Sequence, residues 1–292
     1  MLLRILKNQN TLHKRNLDVA VLSDLHLGTY GCHASEIVNY LRSISPRLLI
    51  LNGDIIDGWQ FSKRYFPGAH LQVIKEIFNL LSEGTRVIYI TGNHDEMLRR
   101  YSGIQLSNFQ LTDKLVIEIN GKMTWIFHGD VFDNTTKGSA KIIAKLGGFG
   151  YDWLILINRC INWSLKKIGR PKMSLSKKIK NGVKKAVSWI ADCEQTAAEL
   201  AIEKGYDYVI CGHIHQPQKK KVETKNGSVI YLNSGDWIEN LTALEYVNND
   251  WNIYHYREED YSKATIIPIS KKIPTLNVVT DEINLFINSL QQ

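Results

Sequence analysis

Residues 18–27 read Asp-Val-Ala-Val-Leu-Ser-Asp-Leu-His-Leu, an apolar run that ends in an Asp-x-His pair. A short, unbroken β-rich run is a strand buried on both faces, and the polar residues behind it mark where the strand stops. In α/β sheets such ends carry the chemistry. The pattern recurs four times. Residues 48–51 (Leu-Leu-Ile-Leu) precede Gly-Asp54-Ile-Ile-Asp57, and residues 87–90 (Val-Ile-Tyr-Ile) precede Gly-Asn93-His94-Asp95. Residues 125–127 (Trp-Ile-Phe) lead into His128-Gly-Asp130, and residues 208–211 (Tyr-Val-Ile-Cys) into Gly-His213-Ile-His215.

The intervening segments alternate in type. Strands are expected at 17–23, 48–52 and 86–91, with helices at 34–43 and 69–82, a layered α/β pattern. A hairpin turn signal, Asn120-Gly121, separates strands at 110–119 and 122–127 and opens a second sheet. Beyond His215, strands at 220–224, 228–233, 241–247 and 251–256 are punctuated by Asn226-Gly227 and Asn248-Asn249-Asp250.

The donor types make sense if they converge. On an extended strand end, Asp24 and His26 point to one face and can share an ion. Asp54 offers two oxygens and can bridge two cations, Asn93 offers an amide oxygen, and His128, His213 and His215 offer imidazole nitrogens. Seven donors exceed one tetrahedral ion. Mixed nitrogen and oxygen donation without sulfur suits two ions of manganese, iron or zinc, manganese being the expected pair, in a clamp for displacement at phosphorus. His13, His33, His70 and His255 have no donor neighbours at ligand spacing and read as ordinary structural or solvent-facing residues.

The ordered set Asp-x-His, Gly-Asp-x-x-Asp, Gly-Asn-His-Asp, His-Gly-Asp and Gly-His-x-His, spanning residues 24 to 215, resembles the calcineurin-like metallophosphoesterases. The resemblance implies an α/β fold, the αββα two-sheet sandwich with an inserted helical lid. It also implies one metal on Asp24, His26, Asp54 and His215 and a second on Asp54, Asn93, His128 and His213. His94 corresponds to the catalytic histidine beside the leaving group, with Asp95 orienting its ring, and Asp57 and Asp130 stand behind the ligands. Asn93, His94 and His213 are the implied substrate contacts.

Composition bounds the rest. A chain of 292 residues with 44% hydrophobic and 10% aromatic content builds a proper core. Cys32, Cys160, Cys193 and Cys211 form no Cys-x-x-Cys pair and read as buried thiols of a reducing, cytoplasmic compartment. The opening residues are too short in apolar content for a secretory signal, and no apolar run is long enough to span a bilayer. A domain over 1–260 is expected, with a lid inserted at about 135–204 and a C-terminal tail of unknown role at 261–292.

The net charge of +7 is concentrated between residues 137 and 185, where thirteen lysines and arginines face Asp152 alone. An apolar helix expected at 151–168 adjoins them, Arg170-Pro171 breaks it, and a second helix is expected at 175–203. Three readings stand. The segment is a helical hairpin packed on the sandwich with its lysines in water, or an amphipathic surface on an anionic membrane. As a nucleic-acid footprint it ranks last, because no recognised nucleic-acid module accompanies it.

Within the superfamily, four features are similar to the UDP-2,3-diacylglucosamine hydrolases. They are Asp24-Leu-His26-Leu, His128-Gly-Asp130, the long insert before Gly-His213-Ile-His215-Gln-Pro217, and the string Leu232-Asn-Ser-Gly-Asp236-Trp237. That similarity implies cleavage of the pyrophosphate of a lipid-linked UDP-sugar in lipid A biosynthesis, giving UMP and 2,3-diacylglucosamine 1-phosphate. It also implies a peripheral position on the inner membrane, with lid residues 137–185 on the anionic surface. The alternative is an enzyme acting on a soluble nucleotide, phosphodiester or phosphoprotein. His94 stands where the best-known branch of those hydrolases has arginine.

Overall fold

The burial pattern of β1 (Arg15–Leu22) sets the layering. Ala20 and Leu22 pack with one core cluster while Val19 and Val21 pack with another, so the strand has helices on one face and a second sheet on the other. The computed structural model describes residues 14–59, 65–135 and 190–261. The lid up to residue 189, the basic stretch 137–185, the apolar helix 151–168, His13, Cys160 and the tail beyond 261 lie outside the described residues.

Three parallel strands form the centre of the first sheet: β1, β2 (Ile44–Asn52) and β3 (Arg86–Ile90). Helices α1 (Ala34–Ser43) and α2 (Gly68–Ser82) make the crossovers. α1 buries Ile37, Val38, Tyr40 and Leu41, spacings that fall on one helical face. The chain then adds β4 (Gln105–Leu106), β5 (Phe109–Thr112), β6 (Lys114–Ile119), β7 (Lys122–Phe127), β8 (Tyr208–Cys211), β9 (Gln218–Thr224), β10 (Gly227–Asn233), β11 (Thr242–Val247) and β12 (Asp250–His255). The sheets run β12-β11-β1-β2-β3-β5-β4 and β6-β7-β8-β10-β9.

One expected strand divides. Residues 110–119 are two strands in different sheets: β5 pairs parallel with β3, and one residue later β6 pairs antiparallel with β7. Asp113 sits at the changeover and accepts from Thr91 Oγ1 at 2.7 Å. The last two strands return to the first sheet, β11 lying antiparallel beside β1.

Between the sheets lie Val21, Ile50, Ile88, Ile126, Ile210 and Leu232. A helix over 190–203, α3, closes the outer face of the second sheet with Ala197, Ala198 and Ala201 against Val209, Cys211 and Tyr231. Alternate residues of β8 thus face opposite sides, as a strand between two layers requires. The result is the αββα sandwich. All strands belong to the larger of two compact units, Leu12–Glu258. Cys193 and Cys211 are buried and in no disulfide, whereas Cys32, expected buried, is partly exposed. Among the described residues, no helix is long and apolar enough to cross a membrane.

Candidate metal centre

The C-terminal ends of β1, β2, β3, β7 and β8 meet on one rim, because both sets are parallel within their sheets. The chain leaves each strand abruptly. Asp24, His26, Asp54, His213 and His215 all adopt left-handed backbone angles, with φ of 54°, 49°, 54°, 67° and 54°. Such a conformation costs a residue with a Cβ about 1–2 kcal/mol. Asp24 and His26 therefore converge through a curled loop and not through the extended strand end expected for them, since β1 stops at Leu22. The curl is held by Asp24 N donating to Gly53 O at 3.0 Å, His26 N to Asp54 O at 2.9 Å and Leu27 N to Ile55 O at 2.9 Å.

Two glycines make the close approach possible. A Cβ on Gly53, whose φ is +81°, would lie 2.3 Å from His128 Nδ1, and one on Gly92 would lie 2.2 Å from Asp54 Oδ1. Neither space admits alanine, which accounts physically for the Gly-Asp and Gly-Asn pairs.

Each aspartate divides its labour between its oxygens. Asp24 Oδ2 accepts from His213 N at 3.0 Å and Asp54 Oδ1 from His94 N at 2.8 Å. The other oxygens face imidazoles: Asp24 Oδ1 stands 3.1 Å from His215 Nε2, and Asp54 Oδ2 stands 3.2 Å from His128 Nε2. His26 Nε2 is 3.9 Å from both carboxylates. Two of the rings are oriented from behind. His128 Nδ1 bonds Asn52 O at 2.9 Å and His26 Nδ1 bonds Asp57 Oδ2 at 3.2 Å, so each Nδ1 carries the proton and each Nε2 offers a lone pair inward.

Four buried atoms of the expected ligands lack any hydrogen-bond partner, Asp24 Oδ1, His26 Nε2, Asn93 Oδ1 and His128 Nε2, and so does His94 Nδ1 beside them. Leaving such an atom unsatisfied costs about 1–3 kcal/mol. Three overlapping groups gather the donor atoms within 4.8 Å of one another: Asp24, His26 and His215; His26, Asp54 and His94; and Asp54, His128 and His213. Orphaned, convergent nitrogen and oxygen donors without sulfur fit two divalent ions.

The electrostatics without ions say the same. Burial by itself would lower the pKa of His128, but Asp54 and Asp24 override it and hold the ring at about 10. Burial opposed by Asp24 brings His215 to about 9. Burial disfavours the charged forms of Asp24 and Asp54, yet the facing imidazoles keep both below the usual carboxylate value. Protons occupy the place where cations would screen the carboxylates.

Around this cluster the structure departs from one expected role. Asp95 turns away from the His94 ring and accepts from Tyr89 Oη at 2.6 Å, Gly92 N at 2.6 Å and Ile55 N at 3.0 Å. Its position in the turn aims it at backbone donors. The carboxylate at His94 is Asp57, whose Oδ2 lies 2.9 Å from Nδ1 and is shared with His26. Asp130 pairs with Arg99 of the 3-10 turn Glu96–Tyr101.

Other contributors were not singled out from the sequence. Trp59, half exposed, lies over His94 with ring centroids 4.2 Å apart, and His70 Nδ1 accepts from Gly28 N at 2.9 Å, bracing the loop behind His26. His70, expected to be an ordinary structural or solvent-facing histidine, is a buried structural one. The 232–237 string buttresses the rim. Asn233 Nδ2 donates to Gly212 O at 2.8 Å, Trp237 N to Asp24 O at 3.1 Å, and Asn240 joins Asp236 Oδ2 to His215 O.

A family model for calcineurin-like phosphoesterases matches residues 17–217. The chain is 23% identical over 246 residues to a UDP-2,3-diacylglucosamine hydrolase of Aliivibrio fischeri strain MJ11, covering 82% of this chain and 98% of that one. It is 25% identical over 247 residues to a UDP-2,3-diacylglucosamine hydrolase of Vibrio vulnificus strain YJ016, covering 80% and 95%. Among solved structures, the phosphoesterase Yfce of E. coli aligns with a TM-score of 0.41 at 13% identity, covering 82% of this chain and 93% of that one.

Proposed function

Because the chain belongs to the calcineurin-like phosphoesterase family, and is therefore a metal-dependent hydrolase of phosphorus esters or anhydrides, we propose that it cleaves the pyrophosphate of UDP-2,3-diacylglucosamine. The products are UMP and 2,3-diacylglucosamine 1-phosphate. The observation that carries the chemistry is the set of buried, unpartnered donor atoms at Asp24, His26, Asn93 and His128. The substrate is supported by relatives of that name whose length the chain spans almost completely.

Asp24, His26, Asp54 and His215 would hold one ion, and Asp54, Asn93, His128 and His213 the other, with manganese the expected metal. Such ions supply a water of lowered pKa and neutralise the oxygens of the attacked phosphorus. The chain's own groups do the rest. His94, at the rim and partly exposed, faces the leaving oxygen and stabilises or protonates it, and Asp57, whose Oδ2 lies 2.9 Å from Nδ1, is the carboxylate placed to pair with the ring. A sugar 1-phosphate is a good leaving group, so His94 can serve where relatives use arginine. Asp95 supports the Asn93-His94 turn through backbone donors. The part of the insert ahead of α3, which itself packs on the second sheet, is the segment we assign to the acyl chains, with residues 137–185 meeting the anionic inner-membrane surface.

Mass spectrometry of products tests the reading: manganese-loaded protein is incubated with the diacylated UDP-sugar in micelles, beside UDP-N-acetylglucosamine. UMP from the diacylated compound alone is the expected result. Cleavage of an aryl phosphodiester with neither UDP-sugar touched would sink the substrate while leaving the metal centre intact.

A further inference from the structure

The loop that follows His26 carries a second feature. Tyr30 is 85% exposed, yet its ring is stacked on Tyr65 with centroids 3.8 Å apart and planes tilted 32°. An aromatic pair held open to water is a platform without its third layer. Beside it is a cavity of about 390 Å³ lined by Tyr30, Tyr65, His33, Glu36 and His70 among others. That volume suits a small, planar ligand.

The cavity's polar groups are few and directional. His70 is 3% exposed, and because its Nδ1 accepts from Gly28 N its ring proton sits on Nε2. Among the described residues nothing accepts that proton. Burial lowers the His70 pKa, so the ring stays a neutral, single-proton donor. Tyr65 and Phe66 stand edge-on to it, at 6.0 and 5.4 Å between centroids. α1 starts at Ala34 with no side-chain cap at His33, leaving first-turn N–H groups with donor capacity. Glu36 supplies an acceptor, one oxygen being 3.5 Å from His33 Nδ1.

We propose that this cavity is the nucleobase subsite, taking the uracil ring of the substrate against the open face of Tyr30. Uracil presents acceptor, donor and acceptor along one edge, and the lining of the cavity holds both kinds of partner, His70 and the first-turn N–H groups of α1 as donors and the Glu36 carboxylate as acceptor. Cytosine would bring an acceptor to that carboxylate. The reach permits it: Tyr30 is four positions beyond His26, so their Cα atoms are at most about 14 Å apart, no more than the span of a nucleotide whose phosphorus sits at the Asp24 and His26 cluster. The inference rests on the reading of the substrate as a UDP-sugar, but its test does not need the lipid.

Isothermal titration of UMP, uridine, CMP and glucosamine 1-phosphate into the metal-loaded full chain is compared for wild type, Tyr30→Ala and Tyr30→Phe. Metal content and thermal transition serve as folding controls. The expected result is UMP affinity weakened roughly ten- to hundredfold in Tyr30→Ala, the scale of one lost base stack, and retained in Tyr30→Phe. Uridine follows the same order, and CMP binds more weakly than UMP. Equal UMP affinity in Tyr30→Ala and wild type, CMP binding as well as UMP, or loss confined to glucosamine 1-phosphate would each overturn the subsite. If wild type leaves the diacylated UDP-sugar intact while UMP binding still depends on Tyr30, the substrate reading falls and the subsite stands.

Discussion

The core between the sheets and the rim above it are built from the same strands, equally buried, with opposite chemistry. Val21, Ile50, Ile88 and Ile210 are at most 1% exposed and wholly apolar. Two to four residues beyond Val21, Ile50 and the equally buried Ile126, Asp24, Asp54 and His128 are at most 2% exposed, polar, and aimed at one another. The core gains from burial, at about 25 cal/mol per Å² of apolar surface. The rim loses by it, through desolvated charges, orphaned atoms and five left-handed residues. Stability is generated in the lower half of each strand and spent at its upper end. That difference explains why the chemistry needs a rigid two-sheet scaffold beneath it.

The contrast can be broken most severely at Gly53. Alanine there meets the His128 ring and a positive φ together, so Gly53→Ala should abolish hydrolysis of an aryl phosphodiester and lower the bound metal, measured by plasma emission, from two ions per chain. A fully active, fully loaded variant would show that the close packing of strand end and ligand is dispensable. The reverse experiment targets the core. Ile210→Ala should cost about 2–5 kcal/mol in denaturant unfolding, with metal content per folded molecule unchanged. If metal is lost as well, core and rim are not separable.

Asp57 sharpens the comparison inside the rim, since it touches two rings while its own surroundings are protein. Asp57→Asn should lower turnover about 10- to 100-fold, the usual effect of a group that orients a ligand or catalytic histidine. Both ions should remain, and KM should move less than kcat.

The smallest effect concerns protons. His128 and His215 have folded pKa values of about 10 and 9, raised from 6.5. Their contribution to the ion-free protein is complete below 6.5 and is lost as pH climbs through 9 to 10. Protein stripped with a chelator should therefore lose a few degrees of Tm between pH 7 and 10 beyond any change in the loaded form. Ions that have displaced those protons leave nothing to titrate. Parallel Tm curves for the two forms would contradict this account.

The sequence by itself determined the order of strands, the position of all five polar motifs at strand ends, and the donor types, because hydrophobic runs and their abrupt endings are local properties. It also placed α1 and α2 nearly to the residue, their apolar faces repeating every three or four positions. What it could not contain was the partnership across long separations. That Asp57 and not Asp95 faces His94 depends on which way two adjacent turns curl, and nearby backbone N–H groups capture Asp95. That residues 110–119 serve two sheets was decided at Asp113, where a strand satisfies one edge and then another. The left-handed angles at Asp24 and His26, and the convergence of His70, Tyr65 and Tyr30 behind them, exist only because separate loops brace one another once the sheets have packed. Local pattern sets the elements; the directions of buried side chains are set by the hydrogen bonds and steric gaps that packing leaves them.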